Sequence, residues 1–513
     1  MTPVQSPAVS VRVAIIGAGF SGLGMAIQLK RRGEHDFIVF EKEDGVGGTW
    51  RVNHYPGCAC DVPSHLYCYS FEQNPRWSRR YAPQGEIEAY LEHCARKYGI
   101  EPHLRRGTEL RSASWDAGRA RWVLQDAAGQ RTEAQVLVVG TGSLSTPAYP
   151  DLPGLARFRG ERFHSQQWDH AVELQGRRVA VLGTGASAIQ FVPQVQRRAG
   201  HVDLYQRSPP WILPRPDRQI GAREQRLFRR FPALQTLVRG AIYQRLELRA
   251  ASFFKHSRLL QLAHIAARRH LHRQVADPLL RARLTPDYDI GCKRVLLSND
   301  YYPALAQPNV GLITQGIREL REHSIVTTDG AERPADVLIF GTGFRATDPV
   351  PGGLIFGRLG QDLADSWRDG PQAYKGTTVN GFPNCFLLMG PNTGLGHNSM
   401  VYMIESQIRY VLDALHTMEA RGLRSVEVRR SAQQAFNADL QARLARTVWN
   451  AGGCHSWYLH PSGRNTALWP DHTFVFRRLT RHFDIAAYAL ERAAAQHPLR
   501  DGDERQLLGG SRA

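Results

Sequence analysis

The sequence predicts an α/β protein made of two Rossmann-like dinucleotide-binding units, the second inserted in the first, with a helical excursion inside the second. Three observations predict this. Apolar runs at 11–16 and 179–182 each lead into a glycine turn and then a helix-like stretch. A third apolar run, ADVLIFGTGF at 335–344, reads as a returning strand. Between them, residues 218–285 change to an arginine-rich pattern of helical period. At 513 residues the chain is long enough for two or three domains with large cores.

Taken in order, VRVAII (11–16) is a short buried-strand pattern, GAGFSGLG is a turn, and MAIQLKRRG continues as a helix. DFIVFEK is the next strand and ends at Glu41. Gly17 permits the tight turn, Gly19 lets backbone approach a pyrophosphate, and Gly22 allows close helix packing. The free N–H groups at the helix start favour the diphosphate, and Glu41 is placed to accept from a ribose. QVLVVGTGSLSTP (135–147) is a further strand and turn.

The second unit is GRRVAVLGTGASAIQFVPQV, with Gly183, Gly185 and Ser187 in its turn. Its next strand, HVDLYQRS, ends in Gln206, Arg207 and Ser208 where an acid would bind a free ribose. A carboxylate there would repel a 2′-phosphate, whereas arginine pairs with it. The second site is therefore predicted to take NADPH, and the first a dinucleotide without that phosphate. The expected domains are 1–150 with 331–513, holding FAD, and 151–330, holding NADPH.

In the excursion, Phe228, Phe231, Leu234, Val238 and Ile242 recur every three or four residues, and Leu259, Leu260, Leu262 and Ile265 suggest another helix. These apolar stripes are expected to cover the domain, with arginines on the other faces. Residues 403–419 and 434–449 also read as helices, and LRDGDERQLLGGSRA (499–513) as a frayed tail.

The apolar fraction is 42% and the formal charge +18. No apolar run reaches membrane-spanning length, and the N-terminus lacks a signal-peptide pattern. The positive charge is spread along the chain without a zinc-finger spacing or an aromatic RNA-binding strand, so no nucleic-acid partner is expected. Seven scattered cysteines predict no disulfide framework and a cytoplasmic, reducing location. Cys58 and Cys60 lie near His54 and His65, but no second cysteine pair follows, so no metal is expected.

Residues 158–169, FRGERFHSQQWD, match the fingerprint of the type I Baeyer–Villiger monooxygenases: Phe158, Gly160, His164, Trp168 and Asp169 at set intervals between two dinucleotide turns. GGTWRVNHYPGCACDVPSHLYCYSF (47–71), GCKR (291–294) and GFPNCFLLMGPNTGLGHNS (381–399) extend the resemblance over almost the whole chain. The pattern looks closest to the hydroxyacetophenone and alkyl-ketone branches. The resemblance implies FAD and NADPH as cofactors, and a ketone and O2 as substrates. It implies oxygen insertion through a C4a-peroxyflavin to give an ester or lactone. It further implies that Arg294 is the catalytic arginine and that Asp61 orients it. Thr49 and Trp50 fall in the flavin-contacting segment; Arg207, Ser208 and Lys293 match contacts to the NADPH 2′-phosphate. His164 matches a residue that couples linker and domain positions, which makes the linker a hinge with Gly160 as its bend.

A guanidinium suits the catalytic role because it stays charged and offers donors in a rigid fork. Two other readings follow from parts of the pattern. A flavin monooxygenase acting on sulfur or nitrogen would lack the full fingerprint and the GCKR arginine, and both are present. A non-catalytic nucleotide- or RNA-binding protein would leave the double nucleotide architecture without a use.

Overall fold

The computed structural model describes residues 9–253, 257–346 and 350–492; the expected frayed tail lies outside them. Strand Val9–Ile16 is buried along its second half because it sits mid-sheet, paired in parallel with Phe37–Phe40 on one side and Arg131–Val139 on the other. Helix Phe20–Arg31 follows the glycine turn. An antiparallel pair, Leu110–Asp116 and Arg121–Asp126, widens the sheet from Arg131–Val139 to Ile355–Phe356. Leu104–Arg105 closes the far edge, and Cys385–Leu387 also pairs with Arg131–Val139, making eight strands.

The second sheet has five strands, all parallel, in the order Val310–Ile313, His201–Tyr205, Arg178–Leu182, Val337–Phe340, Glu161–His164. This moves the expected boundary at 331. The returning strand Val337–Phe340 lies between Arg178–Leu182 and Glu161–His164, inside the second sheet. Asp336 fixes that register, accepting from the Arg178 backbone N–H at 2.9 Å and from its guanidinium at 2.8 Å. The chain crosses back to the first sheet only after Phe340.

The fingerprint segment is also more regular than a loose linker. Glu161–His164 is the edge strand of the second sheet, with His164 opposite Phe340. Trp168 is buried against Phe163 and Phe191, with ring centroids 5.1 and 5.4 Å apart. Gly160 has a steric reason rather than a bending one. A Cβ there would lie 2.5 Å from the Asp336 carbonyl oxygen and 2.7 Å from the Phe158 ring.

The excursion folds as four helices, Ala222–Arg230, Pro232–Glu247, Arg258–Gln274 and Pro278–Arg283. Its period is as expected, but its apolar residues divide between two faces. Of the periodic residues Phe228 is buried, Leu234, Val238, Ile242 and Leu260 are half-buried, and Phe231, Leu259, Leu262 and Ile265 are exposed. Pro232–Glu247 instead buries Gln235, Arg239, Leu246 and Glu247. The polar part of this inward face meets polar backbone: Gln235 donates to the Asn74 carbonyl at 2.8 Å, and Arg239 to the His65 carbonyl at 2.9 Å.

The C-terminal α-helices among the described residues are Met400–Ala420, Arg430–Leu444, Val448–Ala451 and Thr473–Leu479. The expectation of no disulfide is corrected at one place: Cys292 and Cys454 are bonded, 162 residues apart in sequence. The bridge joins the loop carrying Lys293 and Arg294 to the segment carrying His455, Trp457 and Tyr458. Cys58, Cys60, Cys68, Cys94 and Cys385 are free and buried. Among the described residues no helix is long and apolar enough to cross a membrane.

Candidate active site

The two sheets end at a cavity of about 1030 Å³, which the Thr49–Val62 segment, the second glycine turn, the 293–294 loop, residues 389–400 and the 455–468 segment all line. The first glycine turn lies beside it, built for close approach. Gly17 has φ +90°, and a Cβ on it would sit 2.7 Å from the Gly140 oxygen. A Cβ on Gly22 would lie 1.8 Å from the Gly17 oxygen, so only glycine lets this helix start against the turn. Gly48 passes so near Gly19 that a Cβ would lie 2.9 Å from its Cα. The result is a backbone cradle at a helix N-terminus, the chemistry a diphosphate needs.

Glu41 stands at the end of the neighbouring strand and is buried. Burial raises its carboxyl pKa, opposed by hydrogen bonds from the backbone N–H groups of Glu43 at 3.0 Å and Ala18 at 2.7 Å. Each carboxylate oxygen keeps a further lone pair for a ribose hydroxyl. These residues therefore fit the adenosine half of a flavin dinucleotide. Thr49 and Trp50 open the short helix Thr49–Val52 and line the cavity, where Trp50 donates its indole N–H to the Tyr67 hydroxyl at 3.1 Å.

The second turn faces the same cavity. A Cβ on Gly183, at φ +105°, would lie 2.3 Å from the Gly341 oxygen, whereas Gly185 has open space in front of it. Ser187 precedes helix Ala188–Gln196. Arg207 is exposed on the cavity wall beside Ser208, whose hydroxyl accepts from the Lys293 ammonium at 2.6 Å. Burial, and then repulsion from Arg207, lower the Lys293 pKa. Two cations and a hydroxyl thus converge with no carboxylate lining that part of the wall, a fit for a ribose 2′-phosphate.

Arg294 and Asp61 meet on the cavity wall although 233 residues separate them. Arg294 donates from Nε at 2.9 Å and from Nη2 at 2.7 Å, both to Oδ2 of Asp61. Asp61 raises the arginine pKa further above its ordinary value. Nη1 has no hydrogen-bond partner among the described residues, and the side chain is 35% exposed. A fixed, permanently charged donor therefore borders the cavity.

The fingerprint residues Phe158, Gly160, His164, Trp168 and Asp169 do not line it. Burial pushes the His164 imidazole down to about 4, so it is neutral at pH 7. Its Nδ1 accepts from the Gln166 backbone N–H at 3.1 Å. Cys58 and Cys60 do line the cavity; burial pushes the Cys58 thiol up to about 12 and raises that of Cys60 as well.

Three of the lining residues that sequence reading missed hold the site together. Tyr458 is buried beside Arg294. Gln190, in the second unit's helix, donates to the Ala59 carbonyl at 2.9 Å and accepts from the Tyr55 hydroxyl at 3.0 Å, clamping the segment that leads to Asp61. Asn398 is held by Glu247, which accepts from its amide at 2.6 Å, from the Thr473 hydroxyl at 2.6 Å and from His472 at 3.0 Å. None of the three had a local signal, since each acts through a partner far along the chain.

Burial alone would raise the Glu247 carboxyl, but hydrogen bonds led by those from His397 and Thr473 outweigh it and hold the pKa down to about 2. A carboxyl depressed in the folded state adds stability above its unfolded pKa, and that stability is lost as pH falls toward the folded value. The shift from 4.5 to about 2 corresponds to about 3 kcal/mol. Urea midpoints measured from pH 7 to pH 3 should therefore fall below about pH 4.5 for the parent. Glu247→Gln should start lower and lose less over that range. Parallel curves would remove Glu247 from the acid response.

The model of the family described as flavin-binding monooxygenase-like matches residues 10–351. A Pseudomonas aeruginosa protein named Baeyer–Villiger monooxygenase is 58% identical over 489 residues, covering 95% of this chain and 93% of that one. A Streptomyces coelicolor protein of the same name is 49% identical over 485 residues, covering 94% and 93%. Among solved structures, cyclohexanone monooxygenase from Rhodococcus sp. Phi1 bound to NADP+ superposes with a TM-score of 0.84 at 27% identity, over 95% of this chain and all of that one. An oxidised steroid monooxygenase bound to NADP gives 0.82 at 29%, over 94% of this chain. The chain belongs to the flavin-binding monooxygenase-like family. Within it, the chain is a Baeyer–Villiger monooxygenase, an FAD-containing enzyme that uses NADPH.

Proposed function

We propose that the enzyme converts a small-molecule ketone to an ester or lactone in the cavity between its two nucleotide turns, with Arg294 as the catalytic residue and Asp61 positioning it. The observation that carries this assignment is the Arg294–Asp61 pair on the cavity wall, one residue from Lys293. Bound flavin supplies two-electron reduction and oxygen activation, with NADPH as hydride source. The first glycine turn, Glu41, Thr49 and Trp50 hold the flavin dinucleotide. Gly183, Gly185, Ser187, Arg207, Ser208 and Lys293 hold NADPH. Arg294 stabilises negative charge on oxygen during insertion, and Asp61 fixes the guanidinium through a single oxygen, leaving Nη1 for that charge. Buried Trp168 and His164 tie the edge strand to the second sheet, supporting a role for the fingerprint in domain position.

Overall, ketone, O2, NADPH and a proton give ester, NADP+ and water. A cytoplasmic location belongs to this reading, and no nucleic-acid partner does. A panel of linear, cyclic and aryl ketones with NADPH and O2 tests it. Mass spectrometry should show a product heavier by one oxygen atom, labelled when ¹⁸O2 is used. Oxidation confined to sulfides and amines, with no ketone converted, would replace the assignment.

A further inference from the structure

The helical excursion turns some polar side chains inward beside Ile242 and Leu246 and leaves several leucines outward. Helix Pro232–Glu247 turns Gln235, Arg239 and Glu247 inward and leaves Leu237 70% exposed; Leu248, just beyond its end, is 73% exposed. Leu237 and Leu248 lie on one stripe with Ala241 and Gln244, at spacings of four, three and four. Helix Arg258–Gln274 repeats the arrangement. It buries Ala267, His270 and Leu271, while Leu259, Leu262 and Ile265 stand exposed. More than half of the exposed large apolar side chains among the described residues fall within this one excursion. Such concentration on one layer differs from the scattered apolar residues of an ordinary surface.

The charge around these side chains is mainly positive. Arg226, Arg229 and Arg230 are exposed on helix Ala222–Arg230, and Arg268, Arg269 and Arg273 on helix Arg258–Gln274. The three acids of the layer are all engaged. Glu224 pairs with Arg218 at 2.7 Å, Glu247 is buried, and Asp277 caps the Leu279 backbone N–H at 2.9 Å. Outward, the layer is mainly leucine and arginine, with Asp277 as an exposed acid.

That composition selects the occupant. A second copy in a two-fold pairing would set basic face against basic face. A single-stranded nucleic acid takes stacking platforms, whereas this face carries mainly aliphatic side chains. An anionic bilayer satisfies both halves at once, with leucines at the acyl boundary and guanidinium groups on lipid phosphates. We propose that this helical layer docks the enzyme peripherally on the surface of an anionic phospholipid membrane.

The test uses flavin-loaded enzyme and sedimentation with vesicles of phosphatidylcholine alone or with one quarter phosphatidylglycerol. Binding is expected to the anionic vesicles only, and to weaken at high salt. Leu237→Glu with Leu262→Glu should cut that binding at least tenfold. Arg229→Gln with Arg269→Gln should cut it by roughly 25-fold, about fivefold per charge removed. Both variants should keep bound flavin and the parental turnover of a water-soluble ketone without vesicles, which separates docking from folding and from the reaction itself. Equal binding to both vesicle types, no binding to either, or parental binding by the leucine variant would each overturn the proposal. So would a dimer, seen by ultracentrifugation, that the leucine variant breaks while vesicles leave the parent in solution.

Discussion

Arg294→Ala is expected to stop ester formation while the protein still binds FAD and oxidises NADPH. The parent guanidinium is held by two hydrogen bonds to one Asp61 oxygen and borders the cavity with Nη1 to spare. A preorganised cationic donor of this kind acts on charge that develops during reaction, and losing one costs about 10²–10³ in rate. The flavin cradle and the Arg207–Ser208–Lys293 cluster are separate groups, so cofactor binding and reduction should survive. NADPH consumption should then appear as hydrogen peroxide rather than ester, and the ester-to-NADPH ratio should fall by at least 100-fold. Arg294→Lys should recover only part of it, because an ammonium is a mobile, strongly hydrated point charge without the fork that holds Asp61. Chromatographic ester yield, set against NADPH absorbance and peroxide release, measures this. An alanine variant that makes ester at the parental ratio would take Arg294 out of the chemistry.

The parts of this enzyme that were legible in the sequence are those fixed by local sterics. The first glycine of each turn is forced by its positive φ and by the end of the adjacent strand, as Gly17 against Gly140 and Gly183 against Gly341 illustrate. Where a decision depended on distant partners, local pattern failed. Residues 335–344 read correctly as a strand, but its sheet was set by pairing with Arg178–Leu182 and by the Asp336–Arg178 contact. The helical period of the excursion was visible, yet its inward face was chosen by backbone carbonyls at His65 and Asn74. Cys292 and Cys454 carry no local sign of being partners.

The candidate site divides the same way. Arg207 could be proposed from the sequence because its position at a strand end has a direct electrostatic meaning, and the structure puts it on the cavity wall. Arg294 looked like any charged residue beside a strand until the family resemblance singled out its loop. The structure then brings Asp61 to it. Gln190 and Glu247 act on the cavity through Ala59 and Asn398, contacts that exist only once two layers pack.

Arg207→Ala should raise KM for NADPH by roughly 30- to 160-fold and change KM for NADH less than about threefold. Arg207 is exposed at the cavity, and Ser208 already accepts from Lys293 at 2.6 Å. Burial and repulsion from Arg207 disfavour the Lys293 charge in the free enzyme. A doubly charged 2′-phosphate relieves that repulsion and accepts from both residues. A charge-assisted contact contributes about 2–3 kcal/mol, which is the stated change in KM. NADH lacks the phosphate, so it loses little when the arginine goes. Removing Arg207 also relieves Lys293, which partly offsets the loss, so Arg207→Ala with Lys293→Ala, where that offset is gone, should exceed the product of the single effects. Steady-state KM values for both nucleotides, at one pH and ionic strength, decide the matter. Equal rises for NADPH and NADH would mean that Arg207 shapes the pocket without reading the phosphate.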